Sequence, residues 1–308
     1  MIDPGLIEPG LAALLDRIPC TAARPRTVED LPGGLTNRNL KVSTPNGAVV
    51  VRLSTGATSL LAIDRDNEHA NTLAAAATGV GAPVLDYLPG EGVLVVGFLP
   101  GRTLTSRDLT DPAVLDRVAQ ACRTLHAGPR FVADFDMFDV QRRYLQIVRL
   151  HGFRLPPRYL EFAPAAERIE RALRLSREPT VPCHNDLLAA NLIDDGVRVR
   201  IIDYEYSGNN DACFELGNLW SEASLSLDHL AELVGRYYGE TLGNKIARAR
   251  LWGLMSRYGW TLWASIQHSA ATVDFDFWSW GMEKYDRAVA EFTSPDLERL
   301  LQDVQRVD

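Results

Sequence analysis

The spacing of apolar residues divides the chain into two stretches of different character. Leu6, Leu11, Leu14 and Leu15 fall on one stripe, which predicts a helix over 5–17. Residues 26–31 and 38–44 read as strands around the turn Pro32-Gly33-Gly34. The segment LKVSTPNGAVVVRL reads as a hairpin, because Pro45-Asn46-Gly47 is a turn signal between two β-branched runs. A helix is predicted over 64–78, opened by Asp64 as N-cap and ended near Gly79. Two short strands follow near 83–88 and 92–98. After Pro100-Gly101 the period changes, and helices are predicted over 111–127, 138–150, 164–177, 228–239, 244–270 and 277–293. One β island interrupts them at 192–194 and 197–202, turning at Asp195-Gly196. This is an α+β pattern: a small β-rich lobe over 1–98 and a large helical lobe over 99–308. A cleft between two such lobes is the usual place for a ligand.

Composition narrows the function classes. With 308 residues and 46% apolar content, the chain is long enough and apolar enough to bury a sizeable core. Its net charge of −8 argues against nucleic acid or an anionic membrane as main partner. Only Lys41, Lys245 and Lys284 are lysines against 29 arginines, a bias read as a codon-usage trace. No run approaches the roughly 20 apolar residues of a membrane span. The proline-broken, acidic start MIDPGLIEPG does not read as a secretory signal. Cys20, Cys122, Cys183 and Cys213 are widely spread, so reduced thiols and a cytoplasmic location are expected.

The candidate chemistry is concentrated in VPCHNDLLAANLIDDGVRVRIIDYEYSGNNDACFELGNLWSE, residues 181–222. Asn191 enters the β island and Asp203 leaves it, so the two lie at the same end. A carboxamide and a carboxylate there can share magnesium, which prefers oxygen ligands and keeps its phosphates and waters. Asp186 lies five residues before Asn191, on the loop into the island, where its carboxylate can reach a substrate hydroxyl. Phosphoryl transfer asks for this set: a hydroxyl-orienting carboxylate, metal ligands and cations on the phosphates. Taken singly, each Asp or Asn is an ordinary turn residue or cap; Asn185, Asp186, Asn191 and Asp203 in register with His184 are not. The remaining histidines, His69, His126, His151, His229 and His268, show no metal-ligand spacing and read as packing or surface groups.

The pattern H-N-D-x-x-x-x-N followed by a strand ending I-D resembles the kinase-like phosphotransferase superfamily, with Asn185 where protein kinases usually carry arginine. The stretches I-D-Y-E-Y-S-G-x-N-D, F-E-L-G-N and W-S-E, with Y-G-W-T-L-W-A-S-I-Q at 258–267, are similar to the choline/ethanolamine kinase family. That resemblance implies a bilobal protein-kinase-like fold and an ATP- and Mg²⁺-dependent kinase of a small amino alcohol. Asp186 would be catalytic, with His184 and Asn185 orienting its loop, and Asn191 and Asp203 would be the metal ligands. LPGGLTNRNLKV resembles the family's nucleotide loop, which puts Gly33, Gly34 and Asn37 near the phosphates. Arg52 would stand for the kinase strand lysine, paired with Glu68, and adenine would lie near Val96 and Phe98. A guanidinium can hold phosphate oxygens bidentately.

All six tryptophans lie between 220 and 280, and Trp260 and Trp263 share a helix face. Aromatic faces attract a quaternary ammonium, and acidic neighbours such as Glu205 and Glu222 add charge. The resemblance carries substrate contact onto Tyr206, Glu222, Trp260, Trp263 and Trp280. About half of the tryptophans are expected in the helical core, Trp252 first among them. Two rivals remain. A phosphotransferase for another hydroxylated amine or sugar, such as an aminoglycoside, would need acidic pocket residues more than aromatic ones. A catalytically silent binding protein is opposed by the intact Asp186, Asn191 and Asp203.

Overall fold

Alternation of buried valines and leucines builds the first layer. The computed structural model describes residues 8–32, 36–54, 58–61, 63–271 and 273–306. Helix α1 (Pro9–Arg17) precedes strands β1 (Thr27–Leu31), β2 (Asn37–Thr44) and β3 (Gly47–Ser54). Helices α2 (Thr58–Leu61) and α3 (Arg65–Ala77) and strands β4 (Val84–Leu88) and β5 (Val93–Gly97) follow. The five strands form an antiparallel sheet in the order β1-β2-β3-β5-β4. Val28, Leu40, Val42, Val49, Val51, Val93 and Val95 turn to one face, where Leu11, Leu15 and Ile18 of the first helical segment cover them. The hairpin register is Thr44↔Gly47, and Gly47 takes the left-handed φ of +125° that its turn requires. Asp64 caps α3 by accepting from the backbone N–H groups of Asp66 and Asn67, both at 3.0 Å.

The rest of the described chain is mostly helical. It runs through β6 (Arg102–Thr103), α4 (Pro112–His126), α5 (Met137–His151), α6 (Ala163–Leu175) and β7 (Thr180–Cys183). The segment β8 (Leu192–Asp194) and β9 (Val199–Ile201) is the expected hairpin, with β6 added at its edge. Then come β10 (Gly208–Asp211), α7 (Ala212–Ala223), α8 (Leu227–Tyr238), α9 (Gly243–Ala270), α10 (Phe277–Phe292) and α11 (Asp296–Asp303). Helix α9 is the axis of this part: every residue from Ala247 to Gln267 is buried. It crosses α7 glycine on glycine, since a Cβ on Gly253 would stand 2.7 Å from the Gly217 carbonyl. No helix among the described residues is long and apolar enough to cross a membrane. All four cysteines are unbridged.

Helices α2, α7 and α11 and the ladders β7–β10 and β6–β8 fall outside the segments that periodicity predicts. Helix α7 is buried on all sides from Cys213 to Ser221, so it carries no polar stripe to betray a period. Strand β10 reads Gly-Asn-Asn-Asp, a turn composition, yet pairs antiparallel with β7. Its Asn209 side chain accepts from Phe131 N–H and donates to the Phe131 and Ala133 carbonyls, supplying locally what strand propensity does not. Helix α11 is short and lies past the last predicted segment.

Candidate active site

The loop after β7 is held by side chains from below. Asn185 sits at φ +67°, a left-handed conformation that Asn tolerates better than most residues. Its side-chain N–H₂ donates to the carbonyls of Cys183, Tyr206 and Gly208, and its oxygen accepts from Asn210 at 2.9 Å. Glu215 and Asn218 are three residues apart on α7 and share a face. The fully buried Glu215 carboxylate accepts the backbone N–H of His184 at 2.8 Å and of Asn185 at 2.9 Å. Asn218 accepts from Leu187 N–H at 2.7 Å. Burial alone would push the Glu215 carboxyl up, but hydrogen bonding and charge from His126 and the loop N–H hold it below its ordinary range. His184 donates through Nε2 to the Ile202 carbonyl at 2.8 Å and accepts through Nδ1 from Asp186 N–H at 3.3 Å, which selects the Nε2–H tautomer.

The β8–β9 hairpin brings Asn191 and Asp203 to one end. Ile202 N–H donates to the Asn191 carbonyl at 3.0 Å, and Asp203 is the next residue, at φ +72°. The Asn191 side-chain nitrogen donates to the Asp186 carbonyl at 3.0 Å, which leaves its oxygen as the atom able to serve a cation. No cluster of three His, Cys, Asp or Glu ligands exists among the described residues. One carboxylate and one carboxamide oxygen suit a hard cation that keeps phosphates and waters, not zinc.

Across from this hairpin stands a network of arginines and carboxylates. Arg52 of β3 pairs with Glu68 of α3 and reaches Asp203 Oδ1 at 2.5 Å. Arg65 contacts Glu68 at 2.6 Å, Glu205 at 3.2 Å and the Asn37 side-chain oxygen at 3.0 Å. Burial and the neighbouring Arg52 pull the Arg65 guanidinium below its usual range against the pull of Glu205. Glu205 requires a correction. It was grouped with the aromatic residues, but its two oxygens accept from Thr36 and Asn37 at 2.8 and 2.9 Å and meet Arg65, so it belongs to the arginine network. Asn37 is buried within the same network, while Gly33 and Gly34 lie outside the described residues. Val96 and Phe98 are partly exposed at the end of β5, where Phe98 N–H donates to the Ala48 carbonyl at 3.2 Å and Lys41 lies 4.4 Å over its ring.

On the helical side stands an aromatic group around Tyr206, a buried hydroxyl whose pKa is pushed up by burial, with the charge of Asp186 among the contributors. Trp263 donates to the Tyr206 hydroxyl at 2.7 Å, Trp260 meets Tyr206 edge-on at 5.0 Å, and Trp263 meets Trp280 edge-on at 5.6 Å. Trp260 and Trp263 are buried and Trp280 is partly exposed. Glu222 pairs with Lys284, whose ammonium stands 4.0 Å over the Trp280 ring. Burial pushes the Asp186 carboxyl well above the usual carboxylate range. Glu222, Glu205 and Asp203 push it further, and Lys284 opposes them. Trp252 is a core residue, packed on Phe138 and Phe214 and donating to Asp211 at 2.9 Å.

Sequence reasoning singled out neither Glu215, Asn218, Arg65 nor Lys284 as site residues. The signals were present but carried no assigned role: Glu215 and Asn218 lie in the F-E-L-G-N stretch, Arg65 is three residues from Glu68, and Lys284 is one helical turn from Trp280.

Comparison with known proteins bears on the family and the fold. A crystal structure of a choline/ethanolamine kinase family protein from Mesorhizobium loti matches with a TM-score of 0.85 at 30% identity, covering 96% of this chain and 98% of that one. Ethanolamine kinase 1 of Mus musculus is 26% identical over 303 residues, 85% of this chain and 82% of its own length. The fold is also that of choline kinase LicA from Streptococcus pneumoniae, with a TM-score of 0.77 at 23% identity over 91% of this chain and 97% of that one. The family description "Choline/ethanolamine kinase" matches residues 28–232, from β1 through the loop after β7 into α8, and the chain therefore belongs to the choline/ethanolamine kinase family of phosphotransferases.

Proposed function

We propose that this kinase transfers the γ-phosphoryl group of ATP to the hydroxyl of a small amino alcohol, ethanolamine or choline, with Mg²⁺. The observation that carries the reading is the position of Asp186. Its carboxyl feels Asp203 and Glu205 of the arginine network and Glu222 and Lys284 of the aromatic side at once. The residues therefore divide into a phosphate side and an ammonium side with one carboxylate between them. Relatives named for ethanolamine and for choline support the substrate class.

In this reading residues 1–98 form the nucleotide-side lobe and 99–308 the catalytic lobe. Asp186 orients the substrate hydroxyl in line and takes its proton as the oxygen attacks the γ-phosphorus and the bond to the β,γ-bridging oxygen breaks. An environment that favours the protonated carboxyl makes Asp186 a better proton acceptor. His184 and Asn185 hold the loop and do not touch substrate. Asn191 and Asp203 would hold Mg²⁺, which when bound neutralises charge on the phosphate oxygens. Arg52, aimed by Glu68, would hold phosphate oxygens, with Gly33 and Gly34 offering backbone N–H groups and Asn37 fixing that end of β2. Adenine would lie against Val96 and Phe98. Tyr206, Trp260, Trp263, Trp280 and Glu222 would face the ammonium.

A coupled ADP-release assay with ethanolamine, choline and an aminoglycoside tests this. Turnover is expected with the amino alcohols, and Asp186→Asn should lower kcat by about 10²-fold or more with KM for ATP nearly unchanged. Release with the aminoglycoside alone would favour the rival substrate class. Release with none of the three would make the chain a silent binder.

A further inference from the structure

Lys284 occupies a place that the proposed function reserves for a substrate. Its side chain is buried, its ammonium pairs with Glu222 Oε2, and it stands 4.0 Å over the Trp280 ring. A carboxylate with an aromatic face is what recognises an organic ammonium, and here the chain's own ammonium has both. The second Glu222 oxygen, Oε1, is buried and has no hydrogen-bond partner. Lys284 and Trp280 are four residues apart on α10, so one helix face sets both groups.

This arrangement treats two kinds of ammonium differently. A quaternary ammonium has no N–H and depends on an aromatic face and an uncompensated carboxylate. Lys284 covers the Trp280 face and neutralises Glu222, so such a cation must displace a buried lysine or forgo both contacts. A primary ammonium carries three N–H donors. It can donate to the open Glu222 Oε1 while Lys284 stays in place, satisfying an acceptor that is otherwise buried and unpaired. We infer that Lys284 is a specificity-determining residue that makes this kinase prefer a primary amino alcohol to its quaternary counterpart. The inference rests on the kinase reading of the site.

The experiment has two arms on the intact protein. In the first, kcat/KM is measured for ethanolamine, N-methylethanolamine, N,N-dimethylethanolamine and choline with the unaltered chain. A decline is expected that is steepest at the last step, where the final N–H is lost, with choline about tenfold or more below ethanolamine. In the second, Lys284→Met and Lys284→Gln are measured with the same series. The ratio of KM for choline to KM for ethanolamine should fall by about tenfold, while kcat for the two amines moves together.

Choline equal to or better than ethanolamine in the unaltered chain would overturn the inference. So would an unchanged KM ratio in both folded variants. If both variants fail to fold, the methylation series decides alone. Turnover of neither amine by the unaltered chain would remove the kinase reading instead. Lys284 is then judged by quenching of intrinsic tryptophan fluorescence with tetramethylammonium and methylammonium. Tighter tetramethylammonium binding in the variants upholds its role, and equal binding ends it.

Discussion

Glu215 decides the loop more than any residue in it. Its carboxylate accepts two consecutive backbone N–H groups, those of His184 and Asn185, immediately before Asp186. In Glu215→Gln the amide oxygen keeps one of those donors, while the amide N–H₂ faces the other and leaves it without an acceptor. Charged hydrogen bonds of this kind contribute about 1.5–3 kcal/mol, so the variant should lose about that much stability at neutral pH. The sign with pH follows from the lowered folded-state value. Stability supplied by the ionised group is complete above the unfolded value of about 4.3 and disappears as pH falls through the folded one. Urea denaturation at neutral pH and near pH 3 should therefore show the gap between variant and unaltered chain closing with acid. A gap independent of pH would mean that Glu215 acts by shape alone. Asp186, Asn191 and Asp203 were legible at this scale because five residues of loop and one short hairpin determine their spacing. Glu215 and Lys284 were not, because their partners lie 30 and 62 positions away.

Among the elements, α7 and α9 form the platform that carries Glu215, Asn218, Glu222, Trp260 and Trp263. Their closest approach is at Gly217 and Gly253, and a Cβ at Gly217 would collide with the Ala249 carbonyl. Gly217→Ala should lower stability by about 1–3 kcal/mol, as overpacking does, and lower activity with it because Glu215 and Asn218 flank the position. Gly235 on α8 is the control: a Cβ there meets only ordinary contacts, the nearest at 3.7 Å. Gly235→Ala should be neutral or stabilising by about 0.5–1 kcal/mol, since alanine is the better helix former. Melting temperatures of the two variants check this; equal shifts would show that the helix crossing tolerates a wider gap. Periodicity found α9 by its length and missed α7 because all of α7 is wrapped by other helices.

For the molecule as a whole, the network of Arg52, Arg65, Glu68, Asp203 and Glu205 ties the five-stranded sheet and α3 to the segment after β9. A ligand that engages Arg52 and Asp203 should therefore stabilise both parts together. ATP with Mg²⁺ at about 100 times its dissociation constant should add about 2.7 kcal/mol to unfolding. Asp203→Ala should erase the difference between ATP with Mg²⁺ and ATP with chelator, whatever it does to the baseline by releasing Arg52. A magnesium-dependent rise in melting temperature that survives in Asp203→Ala would move the metal ligand elsewhere.

Local order along the chain determined the hairpins, most helices, and the loop-island-loop spacing of Asp186, Asn191 and Asp203, because each depends on hydrogen bonds or periodicities that close within a few residues. Tertiary structure alone decided three things. It assigned Glu205 to the arginines and not to the aromatic residues, although the neighbouring Tyr206 faces the tryptophans, since the chain turns at these two residues, with Ser207 N–H donating to the Tyr204 carbonyl at 3.1 Å, and sends their side chains apart. It set Glu215 under the loop that carries Asp186, since burial of that carboxylate is tolerable only where backbone donors converge. And it laid Lys284 over Trp280 against Glu222, a contact between α7 and α10 that no local pattern encodes because both helices must first pack on α9.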